Sequence, residues 1–118
     1  MMLKRILAKA LPHHFVEALV QSELTALLRL CDPRKVYLFG SAARGTMTDA
    51  SDIDLLVVLK DGTDIKRVKR SYYCRKKEHL VPVDIIFIVE SDFISRSKIG
   101  GIPMVCASEG RLIFEATP

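Results

Sequence analysis

Tryptophan is absent, aromatic residues make up only 7%, and glycine and proline number six and five in 118 residues. So little glycine and proline excludes collagen-like repeats, and 49% hydrophobic against 27% charged residues excludes a disordered chain. No apolar run approaches the ~20 residues needed to span a bilayer. The apolar start from Met1 to Leu11 is interrupted by Lys4, Arg5 and Lys9, and no small-residue cleavage pattern follows, which speaks against a signal peptide. Cysteine is scarce and odd in number. Cys31, Cys74 and Cys106 are far apart with no CxxC, which points to reduced thiols in a cytoplasmic protein rather than a disulfide framework or a zinc site. The length suits one domain over residues 1–118, long enough to bury a real core.

The net charge of +4 is concentrated in one place. Residues 60–79 hold eight basic residues against three acidic ones, a net +5, so the remainder sums to about −1. Such a segment suits a polyanion, an acidic partner or plain solvent.

Hydrophobic periodicity predicts a helix over Phe15–Leu30, closed by Asp32-Pro33. A short strand Val36–Phe39 meets Gly40-Ser41, which opens a brief helical turn ending at Gly45. Ile53–Leu59 is almost wholly apolar and reads as a strand covered on both faces. Thr63 or Asp64 can cap a helix running to about Glu78, with Ile65, Val68 and Tyr72 inward. A strand over Val83–Val89, a helix capped by Ser91 or Asp92 and broken near Gly100–Pro103, and a last strand over Arg111–Phe114 complete the chain. This alternation indicates an α/β or α+β domain, a small mixed sheet flanked by helices.

Chemistry collects around three acids. Asp52 and Asp54 stand two apart at the start of a strand, so their carboxylates project from one face. Asp84 is the one polar residue of Val83–Val89, where an uncompensated carboxylate is costly. If the two strands are neighbours the three carboxylates converge, and a divalent cation keeps them ionised together. Hard oxygen donors without nearby Cys or His select Mg²⁺ or Mn²⁺. Taken singly, each acid has a structural alternative: Asp52 a turn residue, Asp54 a satisfied edge acid, Asp84 an arginine partner. The second element is the strand end Leu38-Phe39-Gly40-Ser41, whose backbone N–H groups at a helix start attract phosphate. Ser41 can donate a hydroxyl hydrogen bond and Arg44 a charge-assisted one. Neither a Walker A loop nor a GxGxxG fingerprint is present. His13-His14 lacks metal-ligand spacing and reads as a surface loop. Tyr72 and Tyr73 beside the basic run could stack on bases, although packing explains Tyr72 more simply.

The spacing G-S-x10-D-x-D, from Gly40-Ser41 to Asp52 and Asp54, is specific. With Phe39-Gly-Ser-Ala-Ala-Arg-Gly45, Ser51-Asp-Ile-Asp-Leu-Leu56 and Val83-Asp84-Ile85-Ile86, it resembles the polymerase-β-like nucleotidyltransferase superfamily, and within it the minimal nucleotidyltransferase (MNT) family. The ending Ser108–Glu115 is also similar, so the resemblance covers roughly residues 15–115. It implies a polymerase-β palm-like fold and a Mg²⁺-dependent transfer of NMP, AMP from ATP, to a hydroxyl. Gly40, Ser41 and Arg44 would then hold the nucleotide's phosphates. Asp52, Asp54 and Asp84 would ligate two Mg²⁺ ions, the last also helping to deprotonate the acceptor. Larger members carry a further domain for base or acceptor, for which this length leaves no room.

The resemblance also implies a partner. MNT proteins pair with HEPN-domain ribonucleases in toxin–antitoxin systems, neutralising them by binding or by adding AMP to a tyrosine. The intact acidic triad favours modification over pure binding. Action on RNA or on a small aminoglycoside-like molecule is the remaining alternative, and self-association is left open. A mean hydropathy of +0.20 predicts apolar surface in an interface, on the outer face of the Phe15–Leu30 helix or over Ile99–Val105.

Overall fold

The computed structural model describes residues 10–48, 51–75 and 81–117. In chain order the elements are α1 (His13–Leu30), β1 (Pro33–Phe39), α2 (Gly40–Arg44), β2 (Ile53–Leu59), α3 (Ile65–Cys74), β3 (Val83–Val89), α4 (Glu90–Ser97), α5 (Gly101–Glu109) and β4 (Arg111–Glu115). The four strands form one mixed sheet in the order β3-β2-β1-β4. β2 runs parallel to β3 and antiparallel to β1, and β4 closes the far side antiparallel to β1. The α+β class and the small mixed sheet read from the sequence are therefore the architecture observed.

β2 is the interior strand that its apolar run predicts, with Leu55 to Val58 fully buried. Alternate residues serve two cores. Ile53, Leu55, Val57 and Leu59 face α1 and α3, whereas Leu56 and Val58 join Tyr37, Ile88, Phe93 and Cys106 beneath α4 and α5. β3 has a similar composition but a different place. It is an edge strand, and Asp84 within it is exposed, so the expected cost of burying that carboxylate does not arise. Composition cannot distinguish an edge strand covered by helices from an interior one.

α1 begins at His13, two residues ahead of the apolar pattern, with Pro12 at its N-cap. His13 and His14 are exposed in its first turn rather than in a loop. α3 is capped as expected, Asp64 accepting from the Arg67 N–H at 3.2 Å. Among the described residues it ends at Cys74; the predicted end at Glu78 falls outside them. Arg75 has extended backbone (φ −73, ψ 136), and its guanidinium reaches Glu23 at 3.1 Å. α4 has no side-chain cap of its own: the Ser91 N–H donates to Asp61, at the turn after β2, at 2.9 Å. That bond, to backbone and side chain of Ser91, holds the Asp61 carboxyl below its ordinary value. The cap comes from another loop, not from Ser91 or Asp92.

Glu23 of α1 is 2% exposed, and accepts from the Tyr72 hydroxyl and from Arg75. Burial, then the Glu23 bond and charge, push the Tyr72 phenol above its ordinary value. A buried carboxylate is tolerable only with such donors. Tyr72→Phe keeps the ring and removes one donor. We expect a loss of about 1–3 kcal/mol in urea unfolding, the cost of a buried acceptor left short. The three cysteines are free, and no helix among the described residues is long and apolar enough to cross a membrane.

Candidate active site

The sheet brings the motif residues to one end. β1 finishes at Phe39 and the chain turns into α2 through Gly40, while β2 and β3 both begin there. Antiparallel pairing sets Phe39 opposite Asp54, and parallel pairing sets Asp54 opposite Asp84. Across the sheet the order is thus Gly40 turn, Asp54, Asp84. Residues opposite one another share a face, and this is the face of Leu56 and Ile86 under α4 and α5. Asp52 lies just before β2, two residues from Asp54, and is exposed.

Gly40 has φ +71, and a Cβ there would run into the Asp54 carboxylate, 3.2 Å from its Cγ. Only glycine satisfies both the left-handed backbone and the close approach. Behind it α2 is a single turn closed by Gly45 (φ 72), which holds Ser41 half-buried and Arg44 exposed near the strand end. The Thr46 N–H donates to the Ser41 carbonyl at 3.0 Å, tying the turn shut.

The electrostatics show how close the acids are. Partial burial raises the Asp54 carboxyl above its ordinary value; the charges of Asp84 and then Asp52 raise it further, and Arg44 opposes them. The charges of both neighbouring acids thus reach Asp54, the half-buried one of the three, while Asp52 and Asp84 are exposed. As the side chains stand, no group of three or more His, Cys, Asp or Glu among the described residues is drawn together tightly enough to hold a metal ion. The donor set nevertheless fits a hard cation: all oxygen, mutually repelling, with two of the three carboxylates exposed and able to turn.

One feature has no signal in the sequence. α5 crosses the sheet and ends beside the Gly40 turn. Phe39, Gly40, Ala43 and Arg44 there line one cleft of about 200 Å³ together with Val105 and Glu109 of α5. The helix sequence Gly101–Glu109 lacks an apolar stripe, so nothing local marks those two residues. On the opposite side of the carboxylates a groove of about 420 Å³ follows the outer edge of β3, past Ile86, Phe87 and Ile88, to the Gly100–Pro103 corner. Ile102 at that corner is exposed, as are Ile94 of α4, Ile99 between the two helices, and Met104 and Val105 of α5. Of the two segments expected to carry apolar surface, Ile99–Val105 does. The large apolar side chain most open on α1 is Leu28 alone.

Residues 23–108 match the family model of the nucleotidyltransferase domain. Among solved structures, the chain is similar to a candidate nucleotidyltransferase from Sulfolobus solfataricus, a crystal structure at 1.40 Å resolution. The TM-score is 0.56 with 22% identity, over 87% of this chain and 83% of that one, a likeness of fold alone. No curated protein sequence matches the chain.

Proposed function

The chain belongs to the nucleotidyltransferase domain family, and on that premise we propose that it transfers AMP from ATP to a hydroxyl on a protein partner, with release of pyrophosphate. The observation that carries this reading is the linear order Gly40 turn, Asp54, Asp84 across one sheet end. In-line displacement needs the attacking and leaving oxygens on opposite sides of the phosphorus. The Gly40-Ser41 turn would hold the β- and γ-phosphates with backbone N–H groups and the Ser41 hydroxyl. The acceptor then approaches from the β3 side. Its oxygen bonds to the α-phosphorus, the bond from that phosphorus to the bridging oxygen breaks, and the hydroxyl proton passes to the Asp84 carboxylate. Arg44 would offset charge on the departing pyrophosphate. Asp52, Asp54 and Asp84 would hold Mg²⁺, which supplies neutralisation of the phosphate charge when bound.

The partner rests on a second observation. α4, α5 and the turn between them expose Ile94, Ile99, Ile102, Met104 and Val105, with Val105 lining the cleft at Gly40, and exposed apolar surface of this kind suits a protein interface. A helical HEPN-type toxin with a tyrosine acceptor is the partner proposed. Co-purification with the neighbouring gene product, then intact-mass spectrometry with ATP and Mg²⁺, tests both halves. A complex and an AMP-sized mass gain are expected; neither appearing refutes the antitoxin role.

Ser41→Ala should weaken ATP binding about tenfold in calorimetric titration, the worth of one charge-assisted hydrogen bond. Its melting temperature should stay within a degree or two of wild type, since surface changes of this kind are nearly neutral. Equal affinity in the variant would reduce the turn to a structural role.

A further inference from the structure

We infer that the free edge of β3 receives an extended, acidic segment of the acceptor protein as a fifth strand, which sets the acceptor hydroxyl beside Asp84. This deepens the proposed transfer and rests on it for the part played by Asp84. β3 pairs with β2 on one side and ends the sheet on the other. The Ile53 N–H donates to the Pro82 carbonyl at 2.9 Å, and the pairing then runs unbroken from Ile53 with Val83 to Leu59 with Val89. That pattern turns the main-chain groups of Asp84, Ile86 and Ile88 toward β2. Those of Val83, Ile85 and Phe87 therefore point outward, and among the described residues no hydrogen bond meets them there.

A row of alternating donors and acceptors is matched by another extended main chain. β3 also lacks the devices that keep open edges from pairing. Its seven residues include no proline and no lysine, and its one charge is Asp84 itself. Side chains on an added strand alternate between two surroundings. On the Asp84 face, a side chain two or four residues from the acceptor meets Ile86 and Ile88, at the groove of about 420 Å³ bounded by Ile102 and Pro103. That groove takes an apolar side chain.

The opposite face supplies the charge preference. Ile65 opens α3 beside the groove, and Tyr72, unlike its exposed neighbour Tyr73, turns inward and reaches back to Glu23 of α1. Lys66 and Lys69, one turn apart and exposed, consequently stand on the flank away from α1, over the free edge of β3. α3 has no acidic residue of its own, so the α3-facing positions of an added strand suit glutamate or aspartate. A second copy of this chain suits the edge less well. Pairing β3 with β3 about a two-fold axis perpendicular to the sheet would bring two α3 helices onto one face, each exposing Lys66, Arg67, Lys69 and Arg70.

The test uses the full chain without ATP or Mg²⁺, so that docking is read apart from transfer. The probe is a labelled peptide of about nine residues, within the usual range of strands. Valine alternates with glutamate in it, and tyrosine replaces the central valine. Fluorescence anisotropy should show binding that weakens as salt rises. A scrambled peptide of the same composition should bind about tenfold more weakly or worse, because main-chain addition needs the alternation. N-methylation of every second residue removes the donors on one side of the peptide alone. One methylated set should abolish binding and the other leave it nearly unchanged. A sensitive valine–tyrosine set marks a parallel strand, a sensitive glutamate set an antiparallel one. The double variant Lys66→Glu, Lys69→Glu should lose about tenfold in affinity for the acidic peptide and gain affinity for one with lysine in place of glutamate. Circular dichroism melts confirm that the variant folds. Equal losses from the two methylated sets, or affinities blind to the charge swap, overturn the inference. A dimer in sedimentation that the peptide disperses also overturns it, and assigns the edge to a second copy. The transfer reading fails by a different result: with ATP and Mg²⁺ the bound peptide gains no AMP mass, while the docking measured without nucleotide stands.

Discussion

Asp54→Asn and Asp84→Asn are each expected to lower AMP transfer by about 10²-fold or more, the scale of losing one preorganised electrostatic group at a phosphoryl centre. What separates this from simple damage is stability. In metal-free protein, burial and the charges of Asp84 and Asp52 raise the Asp54 carboxyl. A raised carboxyl means that the folded state binds the proton more tightly than the unfolded chain. Stability from this group is thus greatest below the ordinary carboxylate range, and is lost as pH rises through the folded value. Above that window Asp54 is a destabilising charge. Asp54→Asn should melt at or above the wild-type temperature at neutral pH in EDTA, and its stability should fall less between acid and neutral pH. Asp84→Asn should act in the same direction by removing the first of the two repelling charges. An inactive variant that melts well below wild type would indicate that Asp54 is structural, and Asp54→Asn retaining wild-type transfer would refute the assignment of the site.

Gly40→Ala is expected to lower both stability and transfer. It forces a side chain into the left-handed region at φ +71 and drives a carbon into the Asp54 carboxylate. Backbone strain of this kind costs about 1–3 kcal/mol. Relief by displacing Asp54 spoils the site, and a shift of about 1 Å at a reacting centre costs about 10²-fold in rate. A thermal melt and a transfer assay should both report the loss. Gly45→Ala is the control: Gly45 has nearly the same φ (72), but a Cβ there meets nothing within 4 Å. It should share the strain and retain much more of the activity. Equal activity losses in the two variants would mean that backbone strain, not contact with Asp54, is what matters at Gly40.

The local part of this site is legible in the sequence because short-range geometry dictates it. Two acids at strand spacing share a face whatever the fold, and Gly-Ser between an apolar strand and a helical turn exposes N–H groups wherever it occurs. The same holds for the interior position of β2, since the unbroken apolar run Leu55–Leu59 needs cover on both sides, and for the Asp64 cap of α3. The sequence by itself thus determined the strand and helix order, the Gly40-Ser41 turn and the placing of Asp52 and Asp54 at strand spacing.

Only the tertiary structure decided how those pieces meet. Parallel pairing of β2 with β3 sets Asp84 opposite Asp54, and the edge position of β3 leaves Asp84 in solvent while Asp54 bears the desolvation. The Val105 and Glu109 wall beside Gly40, the Asp61 cap on α4, and the division of Tyr72 from Tyr73 likewise depend on residues far apart in the chain. The physical reason is common to all of them. Burial and electrostatic partners depend on which elements pack together, and an apolar strand or an amphipathic helix has the same local pattern whichever neighbour covers it.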